Sequence, residues 1–263
     1  MEKATQNPRA IEVWWNHING NTMESQAFVK ALIAESPSIV SAVMERTCNL
    51  QCLHCIFGEE KSSKAISQEN NLSGVIRSMV WQMPEAGTFL HTGRIMQSWH
   101  IDVMAGLREL RSDIALGAID NGSFTRLMSQ FEKTGLCLDF LDVSIDGDEQ
   151  SHNAQRGSTK AYAMARAGIQ KARRVAHKVT SLMALSKLNA HSVKRVVEEL
   201  LVSGEVDELH FSPVLPYREG NALIGMEASE TLLAFSQLAS VVTSRPATEA
   251  AARAKTSISS RGS

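Results

Sequence analysis

The sequence lacks any long run of apolar residues, and none approaches the ~18 residues that a transmembrane helix requires. The first ten residues, MEKATQNPRA, also lack the apolar segment of a secretory signal. We therefore expect no membrane partner and a cytoplasmic location.

An excess of charge of either sign is also absent. The chain has 27 Lys and Arg residues against 28 Asp and Glu residues, which gives a formal net charge of −1. A surface that binds duplex nucleic acid usually carries a basic excess, so nucleic acid is not expected as a partner. With 263 residues, of which 43% are hydrophobic, the chain is long enough to bury a substantial core.

Cysteine is scarce and unevenly placed. Of the four cysteines, three fall within eight residues, at positions 48, 52 and 55. Cysteines this close together make a poor disulfide framework for a chain of this length. Their clustering predicts metal binding or redox chemistry in a reducing compartment.

Apolar strand-like segments alternate with segments of helical periodicity along most of the chain. This alternation is typical of βαβ units with a parallel sheet, and right-handed crossovers would curl six such units into an open barrel. We predict an α/β fold, a partial (β/α)₆ barrel over residues 39–243, with an N-terminal helical extension over 1–38 and a mobile tail over 244–263. The predicted strands are Ile39–Met44, Thr88–His91, Ile114–Ile119, Phe140–Ile145, Val179–Leu185 and Glu208–Leu215, and the predicted helices are Leu72–Met83, Ile101–Leu110, Phe124–Lys133, Thr159–Ala176, Val193–Val202 and Glu230–Val242.

Polar or glycine-containing loops follow the first four predicted strands. Ligands of parallel α/β folds bind at the carboxyl ends of the strands, and these loops all belong to that edge. We therefore predict a site there, with His210 of the sixth strand on the barrel wall and Tyr217-Arg218-Glu219 as a substrate contact. The four loops are the cysteine loop, Thr92-Gly93-Arg94, Asp120-Asn121-Gly122 and Asp146-Gly147.

The cysteine loop reads Cys48-Asn-Leu-Gln-Cys52-Leu-His-Cys55. Thiolates are the usual ligands of iron–sulfur clusters, and this spacing lets one loop wrap three corners of a [4Fe–4S] cubane. The fourth iron is then open to a small molecule. After Cys55 the chain has only Cys137, which precedes the fourth strand at the opposite edge, so we expect one cluster.

Structural zinc is the alternative interpretation of the three cysteines. Zinc in a structural site needs a closed set of four ligands. His54 is a poor fourth ligand because it is adjacent to Cys55, which leaves His91 as the better one. His100, His177 and His191 have no ligand-like spacing and are expected at the surface.

The sequence resembles the radical S-adenosylmethionine (SAM) superfamily. Cys-x₃-Cys-x₂-Cys after the first strand of a six-unit barrel is the signature of that family, and the likeness runs roughly over residues 39–215. Within the family, the fourth-strand region resembles the peptide- and protein-modifying branch, which includes the anaerobic sulfatase-maturing enzymes. The residues that carry this second likeness are Asp142 to Gly147 (DVSIDG), His152 and Arg156-Gly157. Separately, Asp120-Asn121-Gly122 resembles the Thr-Asn-Gly loop that often follows the third strand in the family.

The resemblance implies an enzyme that binds SAM at the open iron, cleaves it with one electron from an external donor, and abstracts a hydrogen atom from a peptide or protein side chain. Relatives usually carry Gly-Gly-Glu after the second strand, where the Glu accepts a hydrogen bond from the SAM amine. This chain has Thr92-Gly93-Arg94 at that place. Because an Arg cannot accept the hydrogen bond, Thr92 or a backbone carbonyl would have to accept it. This difference keeps open a non-catalytic partner that binds cluster and SAM. The residues that the resemblance places at SAM are His54, near the adenine, and Thr92, Gly93, Arg94, Ser144 and Arg156.

Overall fold

A computed structural model describes residues 38–43, 47–56, 72–93, 95–215 and 219–243. The predicted N-terminal extension over 1–38 lies outside these residues except for Ser38, and the predicted tail over 244–263 lies outside them entirely. Arg94, Tyr217 and Arg218 are likewise outside the described residues.

The described chain forms one sheet of six parallel strands in the order β1-β2-β3-β4-β5-β6. Because consecutive strands are neighbours, every crossover between them moves in the same direction, and the sheet curls into a half-barrel. The predicted α/β fold and partial (β/α)₆ barrel are therefore confirmed. The strands are β1 (Ile39–Ala42), β2 (Thr88–His91), β3 (Ala115–Asp120), β4 (Leu138–Val143), β5 (Ala176–Leu185) and β6 (Glu208–Pro213).

Helices follow the strands and cover one face of the sheet. No helix in the described part of the chain combines the length and apolar character needed to cross a membrane. A 3₁₀ turn over Ser123–Leu127 leads into α3, and a π-helical segment over Val197–Val202 continues α6. The helices are α1 (Leu72–Trp81), α2 (Ser98–Leu110), α3 (Met128–Thr134), α4 (Glu149–Arg156), α5 (Ala161–Ala172), α6 (Val193–Val196), α7 (Glu219–Ile224) and α8 (Ala228–Thr243).

The connection between β4 and β5 differs from the predicted single helix over Thr159–Ala176. It contains α4, which the sequence analysis missed, and a shorter α5, while β5 already begins at Ala176. Helix α4 is short and mostly polar, so no apolar periodicity marks it. Its ends are nevertheless defined, because the Asp148 side chain accepts a hydrogen bond from the Ser151 backbone N–H and Gly157 adopts a left-handed conformation.

The strand register separates the two faces of the sheet. Leu141 and Val143 of β4 are buried against the helices, and a Cβ built at Gly168 of α5 would lie 3.4 Å from Val143. Because side chains alternate along a strand, Phe140 and Asp142 point to the opposite, inner face of the half-barrel. On that face Phe140 lies across Gly117 of β3, where a Cβ would be 2.0 Å from the ring.

Candidate functional site

The three clustered cysteines lie in the loop that follows β1, at the carboxyl edge of the sheet. Cys48, Cys52 and Cys55 are half-buried, and none forms a disulfide. Leu50 is buried between them and anchors the loop to the protein. The thiols are therefore held at the edge of the fold and remain partly open to solvent, as a reactive or metal-binding site requires.

The C-terminal end of α4 holds one side of this loop. The Leu53 backbone N–H donates to the carbonyl of Gln155 at 2.9 Å. Next to it, Gly157 has φ +66, and a Cβ at this position would lie 2.6 Å from the carbonyl oxygen of Gln51. Glycine is thus required at position 157 both by the backbone conformation and by the close approach of the cysteine loop.

The loop after β3 holds the other side. The Asn121 side-chain amide donates to Oδ1 of Asn49 at 2.9 Å, and Asn49 contacts the Met164 sulfur at 3.4 Å. The polar loops after β1 and β3 therefore meet at one edge, as the sequence analysis expected for parallel strands.

A buried ion pair lies beneath the cysteine loop. Asp146 is fully buried, and its Oδ2 accepts a hydrogen bond from Nε of Arg156 at 2.5 Å, while its Oδ1 accepts one from the Ala184 backbone N–H at 2.8 Å. Burial opposes ionisation of this carboxyl, but the charges of Arg156 and His54 and the Arg156 hydrogen bond together lower its pKa to about 2. His54 Nε2 lies 3.9 Å from Asp146 Oδ2.

Arg156 also links this ion pair to the thiols, because its side chain hydrogen-bonds to Cys52. Burial raises the pKa of the Cys52 thiol, and the Arg156 charge acts against that rise. The Arg156 charge therefore offsets part of the effect of burial, and the Cys52 thiol still loses its proton less readily than an exposed cysteine.

Two amide side chains that no sequence motif predicted complete this buried polar region. Gln155 donates to the Ala184 carbonyl at 2.7 Å and accepts a hydrogen bond from the Ser186 hydroxyl at 2.5 Å, and Asn189 donates to the Asp146 carbonyl at 3.0 Å. Both amides are fully buried. No spacing rule singles out these residues in the sequence.

His152 was predicted only as part of the fourth-strand likeness. Its Nδ1 accepts a hydrogen bond from the Asp146 backbone N–H at 2.9 Å, so this nitrogen carries no proton. Burial lowers the pKa of His152 to about 4. His152 is therefore neutral near neutral pH and helps to fix the backbone at Asp146.

The other predicted SAM contacts are spread along the same edge. Ser144 is buried just after β4, and Thr92 and Gly93 follow β2, where the Thr92 backbone N–H donates to the Ala42 carbonyl at 3.0 Å. The structure thus brings His54 and Arg156 together at Asp146. It places Ser144, Thr92 and Gly93 at the ends of the neighbouring strands.

His91 lies on the face of the sheet that the helices cover. Leu90 shares the inner face with Gly117, so its neighbour His91 points outward, where it is buried 4.7 Å from the His100 ring. His100 is fully buried against Trp99, so its expected surface position is wrong, whereas His177 and His191 are exposed as expected. A single histidine carries no periodic signal, so the burial of His100 could not be predicted from the sequence.

Within the part of the chain that the structure describes, no three His, Cys, Asp or Glu side chains converge on a point that could hold one ion. Thiolates around one zinc would all lie about 2.3 Å from it. A cubane binds each thiolate at a different iron, so three half-buried thiols spaced along one loop are a donor set that fits a cluster.

Neither the protein-family models nor the curated proteins give a match to this sequence. Several solved structures do match it. SuiB from Streptococcus suis, bound to precursor peptide SuiA, is 11% identical over 86% of this chain and 52% of its own, with a TM-score of 0.61. A structure of anSMEcpe with bound AdoMet is 17% identical over 76% of this chain and 58% of its own, with a TM-score of 0.55.

Coproporphyrinogen III oxidase (HemN) from Escherichia coli, described as a radical SAM enzyme, is 12% identical over 83% of this chain and 56% of its own, with a TM-score of 0.54. This chain therefore spans little more than half the length of these three proteins. At such low identity the likeness establishes the fold: the chain has the partial barrel of the radical SAM enzymes.

Proposed function

We propose that this protein is a radical SAM enzyme that holds one [4Fe–4S] cluster on Cys48, Cys52 and Cys55. The observation that carries the proposal is the position of the cysteine loop. Three thiols lie at the carboxyl edge of β1 in a radical SAM barrel, clamped by α4 and placed above a buried Asp146–Arg156 ion pair.

When bound, the cluster would supply the electron that cleaves SAM to methionine and a 5′-deoxyadenosyl radical able to abstract hydrogen from a substrate. The protein's own residues would hold and orient the two cofactors. Arg156 directs its Nε to Asp146, so its terminal nitrogens are the groups that would grip the SAM carboxylate. Asp146 keeps the guanidinium in place by this ion pair.

The remaining SAM contacts are proposed from position. Ser144, at the end of β4, would donate to SAM through its hydroxyl, and His54 would lie beside the adenine. Thr92 and Gly93 follow β2 at the same edge. The Thr92 hydroxyl or a backbone carbonyl would accept a hydrogen bond from the SAM amine. Arg94 stays a proposed SAM neighbour on the basis of the sequence.

A peptide or protein side chain is the proposed substrate, and the support comes from two sources. The DVSIDG sequence of 142–147 resembles the peptide-modifying branch, and SuiB, whose barrel this chain shares, is bound to a precursor peptide. We further propose an external one-electron donor. A cluster on free thiols needs a reducing compartment, which supports the cytoplasm as the location.

A second candidate is a protein that binds cluster and SAM without catalysis, as a partner of another enzyme. The replacement of the usual Glu by Arg94 favours it, because an Arg cannot accept the amine hydrogen bond. The two candidates differ in one measurable respect, the cleavage of SAM.

Anaerobic reconstitution tests the proposal. Iron and sulfide content, the EPR signal of the reduced protein, and 5′-deoxyadenosine formed from SAM under a strong reductant would be measured for the wild type and for Cys48→Ala, Cys52→Ala and Cys55→Ala. Cys137→Ala is the matched control, since this cysteine precedes β4 at the far edge of the sheet.

We expect each loop variant to lose the cluster and the control to keep it. Normal cluster content in Cys52→Ala would refute the ligand assignment. A full cluster with bound SAM but no 5′-deoxyadenosine in the wild type would establish the non-catalytic candidate.

A further inference from the structure

Three aspartates are buried near the carboxyl ends of β3 and β4, and one of them differs from the others. Asp120 and Asp146 each accept hydrogen bonds on both carboxylate oxygens. Asp142 is only 8% exposed, yet its Oδ1 has no hydrogen-bond partner. A buried polar atom without a partner lowers the stability of the folded protein, so its presence here points to a role in binding rather than in folding.

The strand register fixes where this carboxyl group points. Asp142 pairs with Ile119 of β3 and with Thr180 of β5 in parallel register. Its chain neighbours Leu141 and Val143 are buried in the helix-facing core. Asp142 therefore faces the inside of the half-barrel, away from the helices.

Only part of the carboxyl group is satisfied by the protein. The Thr180 side chain and the Leu182 backbone hydrogen-bond to it, and Arg156 is the nearby charge that favours its ionised form. Burial outweighs these three contributions and raises the pKa of Asp142 to about 7.

The other charged groups facing the same interior already have partners. Lys178 and His210 share a face with Asp142 through the β4–β5–β6 register, and both lie next to Glu208, at 2.7 and 3.6 Å. Arg156 is paired with Asp146. Among the described inner-facing side chains, Asp142 is the acid left without a cation, and buried charges in proteins are normally paired.

We propose that Asp142 is a substrate subsite that binds a protonated nitrogen, either an ammonium or a guanidinium group carried by the substrate. The inference rests on the proposed function, because it takes the inside of the barrel to be the substrate cavity. Asp142 lies two residues before Ser144, the proposed SAM contact, and alternate residues of a strand are ~6.6 Å apart along its axis. The cationic group would thus bind one side-chain layer deeper in the barrel than SAM.

The protonation state of Asp142 reports on this subsite directly. Cluster-loaded protein carrying ¹³C-labelled aspartate would be titrated with acid and base under anaerobic conditions, and protonated carboxyl groups would be followed by infrared spectroscopy. Asp142→Asn identifies the band. Asp102→Asn, at an exposed position of α2, is the matched control that makes the same chemical change elsewhere.

The probes are methylguanidinium and methylammonium chloride, with sodium chloride at equal ionic strength and urea as the neutral analogue. A bound cation stabilises the ionised carboxyl, so either organic cation should lower the pKa of Asp142 by about one unit or more and saturate in the millimolar range. Urea and sodium chloride should leave it unchanged. An unchanged pKa with both organic cations, or an equal shift with urea, would overturn the proposal.

A short peptide with one internal lysine and blocked ends distinguishes the two sources of the cation. Tighter binding of the peptide than of methylammonium, lost in Asp142→Asn, supports a peptide side chain, while equal binding supports a small free amine. SAM cleavage is measured on the same preparation. A protein that binds the cations but does not cleave SAM would refute the proposed enzyme and keep the subsite, whereas cleavage without cation binding would do the reverse.

Discussion

Replacing Asp142 by Asn should stabilise the protein, and the gain should grow with pH. Asn has nearly the same shape and can keep the hydrogen bonds to Thr180 and to the Leu182 backbone, but it has no charge to bury. The wild-type carboxyl group holds its proton more tightly when folded, because burial raises its pKa from 3.8 to about 7.

The sign of the effect follows from proton linkage. The folded state binds this proton more strongly than the unfolded state, so the wild-type carboxyl lowers the free energy of unfolding least below about pH 4. Stability is then lost as the pH rises through the folded pKa of about 7. At 1.36 kcal/mol per pKa unit, the full loss is on the order of 4 kcal/mol, of which about 2–3 kcal/mol falls between about pH 5 and about pH 8.

Urea unfolding at about pH 5 and about pH 8, followed by circular dichroism on identically prepared wild type and variant, measures this difference. Any effect of the amide on packing is independent of pH and cancels when the two pH values are compared. We expect the variant's advantage in unfolding free energy to be larger at the higher pH by about 2–3 kcal/mol. An equal advantage at both values would refute the buried, unpaired carboxylate and weaken the case for the substrate subsite.

Three further outcomes are expected. Gly157→Ala should lower the melting temperature and speed the loss of iron relative to Gly135→Ala, because both glycines have positive φ but only Gly157 has the Gln51 carbonyl 2.6 Å from a new Cβ. Arg156→Lys should weaken SAM binding roughly tenfold, measured by equilibrium dialysis, since Lys keeps a charge for Asp146 but cannot grip a carboxylate at two points. Iron analysis should give about four irons per chain, because one further cysteine cannot hold a second cubane.

Each of these outcomes has a clear opposite. Equal effects of the two glycine substitutions would mean that the contact with the cysteine loop contributes nothing beyond backbone conformation. Unchanged SAM affinity in Arg156→Lys would leave Arg156 a purely structural ion-pair partner. About seven or eight irons per chain, with a cluster that survives loss of the three loop cysteines, would show a second cluster.

The parts of the fold that the sequence predicted are those with a periodic apolar signal. All six strands were found because buried strands of parallel sheets are short apolar runs between turn residues, as in Ala115–Asp120. Helices such as α2 and α8 show helical spacing and were also found. Helix α4 was missed because its ends depend on a cap at Asp148 and on Gly157, and its short sequence has no apolar stripe.

The candidate site divides in the same way. The cysteines and the strand-end loops could be located because motif spacing and parallel topology place them without any knowledge of side-chain contacts. The pairing of Arg156 with Asp146 could not be predicted, because it depends on helix α4, which the sequence did not indicate. The family resemblance places Arg156 at the SAM carboxylate, and the structure pairs it with a carboxylate of the protein itself, that of Asp146.

The two faces of β4 explain why its acids differ in kind. Val143 and Leu141 fill the core. Asp146, beyond the strand end, accepts hydrogen bonds from the Ala184 backbone N–H and from Arg156, so both oxygens of its carboxylate have a partner within the fold. Asp142 points into the half-barrel, where the sheet has no helix layer to supply a donor. A fold stabilised for its own sake would place an apolar residue there, since removing an unpaired buried charge stabilises a protein. Retaining an acid at this position agrees with the proposed subsite, in which a cationic group of the substrate would supply the missing donor.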